Sequence, residues 1–128
     1  MAVLPDVQAF LETYTKAFLS VDGAGIAVLY HVPCLTVRAD GSVHCPQSRE
    51  ELQSFFQKVA DTYHQEGCRG WRYADLEAVA LGSTSALAGL TWEMLREDGS
   101  IIRRWRQSYN LLRRDQEWKI LASTFHQA

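Results

Sequence analysis

Three side chains in this sequence have the chemistry to move or share a proton on a bound molecule: Asp75, His126 and Tyr14. Asp75 lies between Tyr73 and Leu76 in a strand-like stretch. A carboxylate among aromatic rings is partly desolvated, which raises its pKa toward the range of a working base. A histidine at a cavity mouth, as His126 would be in the register of its strand, suits acid–base work. Tyr14 offers a hydroxyl from the middle of an apolar helical stripe. Each also has an ordinary reading: an exposed aspartate, a fraying chain end, a core tyrosine with a satisfied hydroxyl. The choice depends on which face of which element each residue occupies.

The second half of the chain, Trp71 to His126, allows those faces to be worked out. Asp98-Gly99 reads as a two-residue hairpin turn, where both central residues tolerate positive φ. It sets Trp92 opposite Trp105, Leu90 opposite Gln107, Ala88 opposite Tyr109 and Glu93 opposite Arg104. A two-residue turn at Asp115-Gln116 sets Tyr109 opposite Ala122, Gln107 opposite Thr124 and Trp105 opposite His126. A turn at Gly82-Ser83 sets Trp71 opposite Met94, Tyr73 opposite Trp92 and Asp75 opposite Leu90. These registers place Trp71, Tyr73, Trp92, Trp105, Tyr109, Trp118 and His126 on one face, and a one-residue slip would scatter them.

An aromatic face with Gln107, Asp75 and Thr124 among the rings exceeds what a simple core needs. Ligand pockets combine aromatic lining with a few convergent polar groups. The expected ligand-binding residues are Trp71, Tyr73, Trp92, Trp105, Gln107 and Tyr109 on the sheet, with Phe56 and Tyr30 from the helical part. The opposite face reads Leu76, Ala78, Ala80, Leu87, Gly89, Thr91, Glu93, Arg104, Arg106, Ser108, Asn110, Leu121, Ser123 and Phe125. No helix remains to cover it, so a homodimer through this outer face is expected.

From the N-terminus, Pro5-Asp6 opens a helix with Asp6 as N-cap. Val7, Phe10, Leu11, Tyr14, Ala17, Phe18 and Val21 recur at helical spacing. Asp22-Gly23 starts a short helix over 24–30, ended by Pro33. Cys34 to Arg38 reads as a strand, Asp40-Gly41 as a turn that sets Cys45 opposite Thr36, and Ser42 to Cys45 as the returning strand. Ser48 and Glu51 form a capping box for a helix carrying Leu52, Phe55, Phe56, Val59, Ala60 and Tyr63. Gly67 is placed to end it. Long strands follow over 70–81, 84–97, 100–113 and 117–126. Helices segregated beside an antiparallel meander make an α+β fold. Long strands bend, so a curved sheet wrapped around the N-terminal helices, open at one end, is expected.

The chain has 128 residues, a formal charge of −2 and 47% hydrophobic residues. That suits one domain, 1–128, with a real core. The charge excludes a nucleic-acid footprint. Arg103, Arg104, Arg106, Arg113 and Arg114 alternate with apolar residues as a solvated or partner-facing surface. No run is long enough to span a membrane, and no signal peptide is legible. Cys34, Cys45 and Cys68, without a CxxC, suit free thiols in a reducing, cytoplasmic setting. His31, His44, His64 and His126 are dispersed, so neither a metal nor another cofactor is expected.

The segments 14–17 (Tyr-Thr-Lys-Ala), 26–33 (Ile-Ala-Val-Leu-Tyr-His-Val-Pro), the Ser48 helix and 117–120 (Glu-Trp-Lys-Ile) give the whole chain a resemblance to the nuclear transport factor 2-like superfamily. This is the cone-shaped α+β barrel of ketosteroid isomerase, scytalone dehydratase and polyketide cyclases. The resemblance implies a small-molecule domain, with or without a cofactor-free lyase, isomerase or cyclase activity on an apolar substrate. A non-catalytic ligand-binding or dimeric assembly module is the alternative. Of ketosteroid isomerase's functional positions, the first-helix tyrosine is matched by Tyr14, and the second acid falls near Tyr109. The general base is matched by Ala39, with Asp40 one residue later.

Overall fold

A computed structural model describes residues 3–127; the outermost ends of the expected 1–128 domain lie outside the described residues. The elements are α1 (Leu4–Leu19), α2 (Gly23–Ala27), β1 (Tyr30–Val37), β2 (Val43–His44), α3 (Arg49–Gln65), β3 (Gly70–Leu81), β4 (Ser85–Leu95), β5 (Ile101–Arg114) and β6 (Glu117–Phe125). They form three helices and one six-stranded sheet in the order β2-β1-β6-β5-β4-β3. The α+β class holds. The sheet is curved but open rather than closed into a barrel, and its β1–β6 pair is parallel while the others are antiparallel.

Helix α1 buries Val7, Phe10, Leu11 and Tyr14, the stripe predicted from spacing. It starts earlier than expected: Val3 is the N-cap, and Asp6 sits in the first turn, where its charge complements the helix dipole. Helix α2 is shorter than 24–30, because Tyr30 already belongs to β1. Pro33 lies inside β1 rather than ending a helix, in the irregular stretch between Tyr30 and Leu35 where pairing with β6 shifts. A residue without an N–H is tolerated there. Gly23 lets α2 dock against α3. A Cβ on it would fall 2.7 Å from the Gln53 carbonyl oxygen and 2.8 Å from Gln57 Cα.

Helix α3 carries the expected cap: the Glu51 N–H donates to Ser48 Oγ at 3.1 Å. The Glu51 carboxylate accepts from the Gln47 N–H rather than from Ser48. The helix ends on Gly67 at φ +101°, with the Gly67 N–H bonded to His64 O and the Cys68 N–H to Tyr63 O. This paired closure needs a left-handed residue.

The meander follows the predicted turns, but each hairpin carries a bulge, and those in β3 and β6 redirect the faces. Trp92 pairs with Trp105, Leu90 with Gln107 and Glu93 with Arg104, as the Asp98-Gly99 register requires. The loop itself holds three residues, closed by Arg96 N–H to Ser100 O. An extra residue, Ile102, restores the register between Leu95–Ile101 and Met94–Arg103. In β3, Trp71 meets Met94 and Tyr73 meets Trp92, but Asp75 and Leu76 together oppose Leu90. In β6, the Asp115-Gln116 turn is as expected, both residues having positive φ. Leu121 is then the extra residue, so Tyr109 meets Ser123 and Gln107 meets Phe125.

The bulges of β3 and β6 exchange the faces of the residues on one side of them, whereas the extra residue in β5 compensates for the longer loop. Leu76 and Ala78 pack on the core rather than outside. Ser123 and Phe125 are buried on the aromatic side. Thr124 and His126 go to the outer face with Ser108. In the short hairpin, Thr36 faces His44 rather than Cys45.

Candidate functional site

The helices and the aromatic sheet face enclose a cavity of about 30 Å³. Helix α1 contributes Tyr14, Thr15 and Phe18, and α3 contributes Phe56, Val59 and Tyr63. The walls are Trp71, Trp92, Trp105, Gln107 and Tyr109 from β3, β4 and β5. Tyr30 and Thr36 from β1, Arg38 just beyond it, and Ser123 and Phe125 from β6 complete the lining.

The floor is a chain of buried polar tips. Tyr14 and Tyr30 share a hydrogen bond of 2.6 Å between their hydroxyls. Trp92 Nε1–H donates to the Tyr109 hydroxyl at 2.7 Å. Burial pushes all three hydroxyls well above the ordinary tyrosine range, and for Tyr14 the neighbouring Tyr30 adds to the effect. They are therefore neutral hydrogen-bonding groups at any physiological pH. The rings lock together: Tyr30 lies 4.4 Å from Phe56, and Tyr14 makes an edge contact of 5.9 Å with Tyr109.

The second polar cluster lies on the wall. Trp105 Nε1–H donates to Gln107 Oε1 at 2.8 Å, and Gln107 Nε2–H donates to Ser123 Oγ at 2.6 Å. Thr36, beside Ser123 in the parallel register, is 2% exposed, and its Oγ1 has no hydrogen-bond partner. A buried polar atom left unpaired costs free energy that evolved proteins seldom leave uncompensated.

Arg38, Val59 and Tyr63 also line a second, open groove of about 760 Å³ between α3 and the β1–β2 hairpin. The cavity mouth therefore faces this groove. The Arg38 guanidinium lies 4.7 Å above the Phe125 ring and 5.6 Å from that of Phe55. Burial raises the Tyr63 hydroxyl's pKa, and the nearby charge of Arg38 pulls it part of the way back.

Among the residues expected from sequence, Tyr14, Trp71, Trp92, Trp105, Gln107, Tyr109, Phe56 and Tyr30 meet around this cavity. Tyr73 does not line it; its ring packs edge-on against Trp92 from the β3 side. Asp75 is exposed at φ +53° in the β3 bulge, facing away from Leu90 and Gln107. Its backbone carbonyl accepts from Arg106 at 2.7 Å. His126 is exposed on the outer face, where Nε2 lies 2.7 Å from Ser108 Oγ. The ring beside Trp105 is instead that of Phe125, stacked at 5.4 Å.

Thr36, Arg38, Tyr63, Ser123 and Phe125 were not foreseen as site residues. Their signals lie in the spacing. Cys34, Thr36 and Arg38 step by two onto one face. The inward-facing positions jump by three from Tyr73 to Leu76, and again from Ile120 to Ser123, at the two bulges.

Ala39 and Asp40, where a general base would be sought, are exposed, and Ser42 holds Asp40 in a turn, keeping its carboxyl below the usual range. Burial pushes the Cys34 thiol up to about 11, so it is not a ready nucleophile. Among the described residues, no group of three His, Cys, Asp or Glu side chains could hold a metal ion. No helix among them is long and apolar enough to cross a membrane.

Helices laid against one face of an open, curved sheet, with an aromatic cavity between, define the cystatin-like architecture of the NTF2-like proteins. The chain belongs to the NTF2-like protein (DUF6841) family, whose pattern matches residues 5–128. No curated protein matches it in sequence. Its fold is similar to that of Aln2 from a Streptomyces species, with a TM-score of 0.76 and 14% identity over 98% of this chain and 90% of that one. An NTF2-like protein of unknown function from Shewanella oneidensis superposes with a TM-score of 0.74 and 12% identity, covering 97% and 98% of the two chains. A scytalone dehydratase-like protein from Novosphingobium aromaticivorans gives 0.71 and 11%, covering 98% and 83%. At these identities the likeness is one of fold.

Proposed function

We propose that this protein binds a small apolar or aromatic molecule between its helices and its aromatic sheet face, without a cofactor. The observation that carries the reading is the unpaired Thr36 Oγ1, buried in an aromatic-lined cavity beside Gln107 and Ser123. Such a site offers rings to an apolar body and a few polar atoms to orient it.

The cavity holds about 30 Å³, enough for one or two waters. Ligand sites more often measure about 300–1,000 Å³. A ligand must therefore displace side chains at the mouth and draw on the 760 Å³ groove outside.

A cofactor-free isomerase, lyase or cyclase is the second reading, favoured by the neutral hydroxyls of Tyr14, Tyr30 and Tyr109, which can stabilise a developing oxyanion. It lacks a base: among the described residues lining the cavity there is no carboxylate and no histidine. Binding without chemistry is therefore the better-supported function. The outer sheet face, with Val79, Leu81 and Leu87 exposed, supports the companion proposal of a homodimer.

Titration with phenylacetamide, read by tryptophan fluorescence, tests the binding reading. A saturable change is expected, weakened at least fivefold in Trp105→Ala. No saturable change in the unaltered protein, or one untouched in a folded Trp105→Ala variant, places binding elsewhere or nowhere.

A further inference from the structure

We infer that the ligand carries a carboxylate, and that Arg38 at the cavity mouth selects it. The inference rests on the binding function proposed above and names the chemical class that the site takes.

Arg38 is half-buried, yet no carboxylate lies within 4.0 Å of its guanidinium among the described residues. Arg106 and Arg113, also without a carboxylate, give their N–H groups to the carbonyls of Asp75 and Ser83, and three other arginines of the sheet hold carboxylates. Arg72 and Arg104 both grip the buried Glu93, the first at 2.6 Å. Arg103 forms a two-pronged pair with Glu66 at 3.0 and 3.1 Å. Arg38 instead rests against the Phe55 and Phe125 rings, with the Tyr63 hydroxyl close enough to feel its charge. A guanidinium has five N–H donors in a planar fork that matches a carboxylate. Most of that fork is unused.

The second observation is independent of the charge. Thr36, two residues before Arg38 on the same face of the chain, lines the cavity and carries a buried hydroxyl with no hydrogen-bond partner. Gln107 gives one amide hydrogen to Ser123 and keeps a second. An arginine fork, a free hydroxyl and a free amide hydrogen around one apolar slot are donors awaiting an acceptor-only group. A carboxylate is that group.

The surroundings favour a monoanion over a phosphate. The groove outside the mouth is lined by Glu50 and Glu51 as well as by Lys58 and His44. Arg38 and Lys58 offset Glu50 and Glu51, so the groove carries no surplus positive charge, and a dianion meets twice the repulsion from the two glutamates that a monoanion does. The ring stack on Arg38 is compatible with binding, because the guanidinium can keep an aromatic contact while its edge meets a carboxylate. The ligand class is thus a small aromatic or apolar monocarboxylic acid, its acid group at Arg38 and its body against the aromatic walls.

The test compares phenylacetate with phenylacetamide, equal in shape and different in charge, by fluorescence titration of the intact protein. Phenylacetate should bind at least tenfold tighter. Arg38→Met should abolish that preference, bringing the ratio of acid to amide affinity to about one, with folding verified by circular dichroism. Should Arg38→Met not fold, Thr36→Val serves as the second variant. It is close in shape, removes only the free hydroxyl, and should cut phenylacetate affinity at least threefold. Equal binding of acid and amide overturns the carboxylate assignment and leaves the binding function standing. A preference that survives Arg38→Met, or survives Thr36→Val undiminished where Arg38→Met is unfolded, also overturns it. Failure of both probes to bind removes the binding function and this inference together.

Discussion

Tyr14 shows how one residue ties the helices to the sheet. Its ring touches those of Phe10, Phe18, Tyr30, Trp92 and Tyr109, and its hydroxyl meets that of Tyr30. Burial raises the folded-state pKa of Tyr14, Tyr30 and Tyr109 above the unfolded value of about 10. The stability held by keeping these phenols neutral is therefore complete below about pH 10. It is lost as pH rises from there toward the folded values, because the unfolded chain releases protons first. Urea midpoints measured between pH 8 and pH 11, about one unit past the ordinary tyrosine value, should fall only in the alkaline limb. Tyr30→Phe should make that fall shallower. At neutral pH it should cost about 1 kcal/mol, the net value of a typical buried hydrogen bond. A midpoint flat to the alkaline end would contradict this account of the floor.

Among the secondary-structure elements, the bulges control which side chains see the cavity. Asp75 takes φ +53° because two residues of β3 oppose Leu90, and aspartate tolerates this region far better than a β-branched residue. Asp75→Gly should change stability by no more than about 0.5 kcal/mol, whereas Asp75→Ile should cost about 1–2 kcal/mol. Chemical denaturation of the two variants checks it, and equal stabilities would argue against the bulge. The α2–α3 contact is tighter still. Gly23→Ala forces a methyl into backbone at 2.7–2.8 Å and should cost about 1–3 kcal/mol. It should also loosen the Gln57 side chain, which bonds the Gly23 N–H and the Val21 carbonyl. A Gly23→Ala protein as stable as its parent would mean that α2 can shift freely.

For the molecule as a unit, assembly turns on the outer face. Val79, Leu81 and Leu87 are 58%, 45% and 47% exposed, on the same sheet as the Glu93 cluster with Arg72 and Arg104. A two-fold contact would bury this patch against its copy. Leu87→Glu should then shift the sedimentation profile from dimer to folded monomer at micromolar concentration. The parent sedimenting as a monomer under the same conditions would leave the patch without that role. Leu121 is a poorer probe than it looks in sequence, because it is the bulge residue of β6 and its substitution would disturb the sheet.

The elements and the central pairing are legible in the chain without its fold. The α1 stripe, the Ser48 cap, the Gly67 closure and the Trp92–Trp105 register all follow from local signals: helical periodicity, a capping side chain, a left-handed glycine, a turn. Most of the aromatic lining was legible for the same reason, since pairing across one well-defined hairpin carries its neighbours with it. The faces beyond the bulges are a property of the folded sheet. A strand with period two has no memory of a skipped residue, so one extra residue at Asp75 or at Leu121 exchanged inside for outside along the rest of its strand. That moved Asp75 and His126 out and brought Ser123 and Phe125 in. The fold also placed Arg38 against the rings of Phe55 and Phe125. Those residues are distant in sequence, and they meet only because β1 runs parallel to β6 beneath α3.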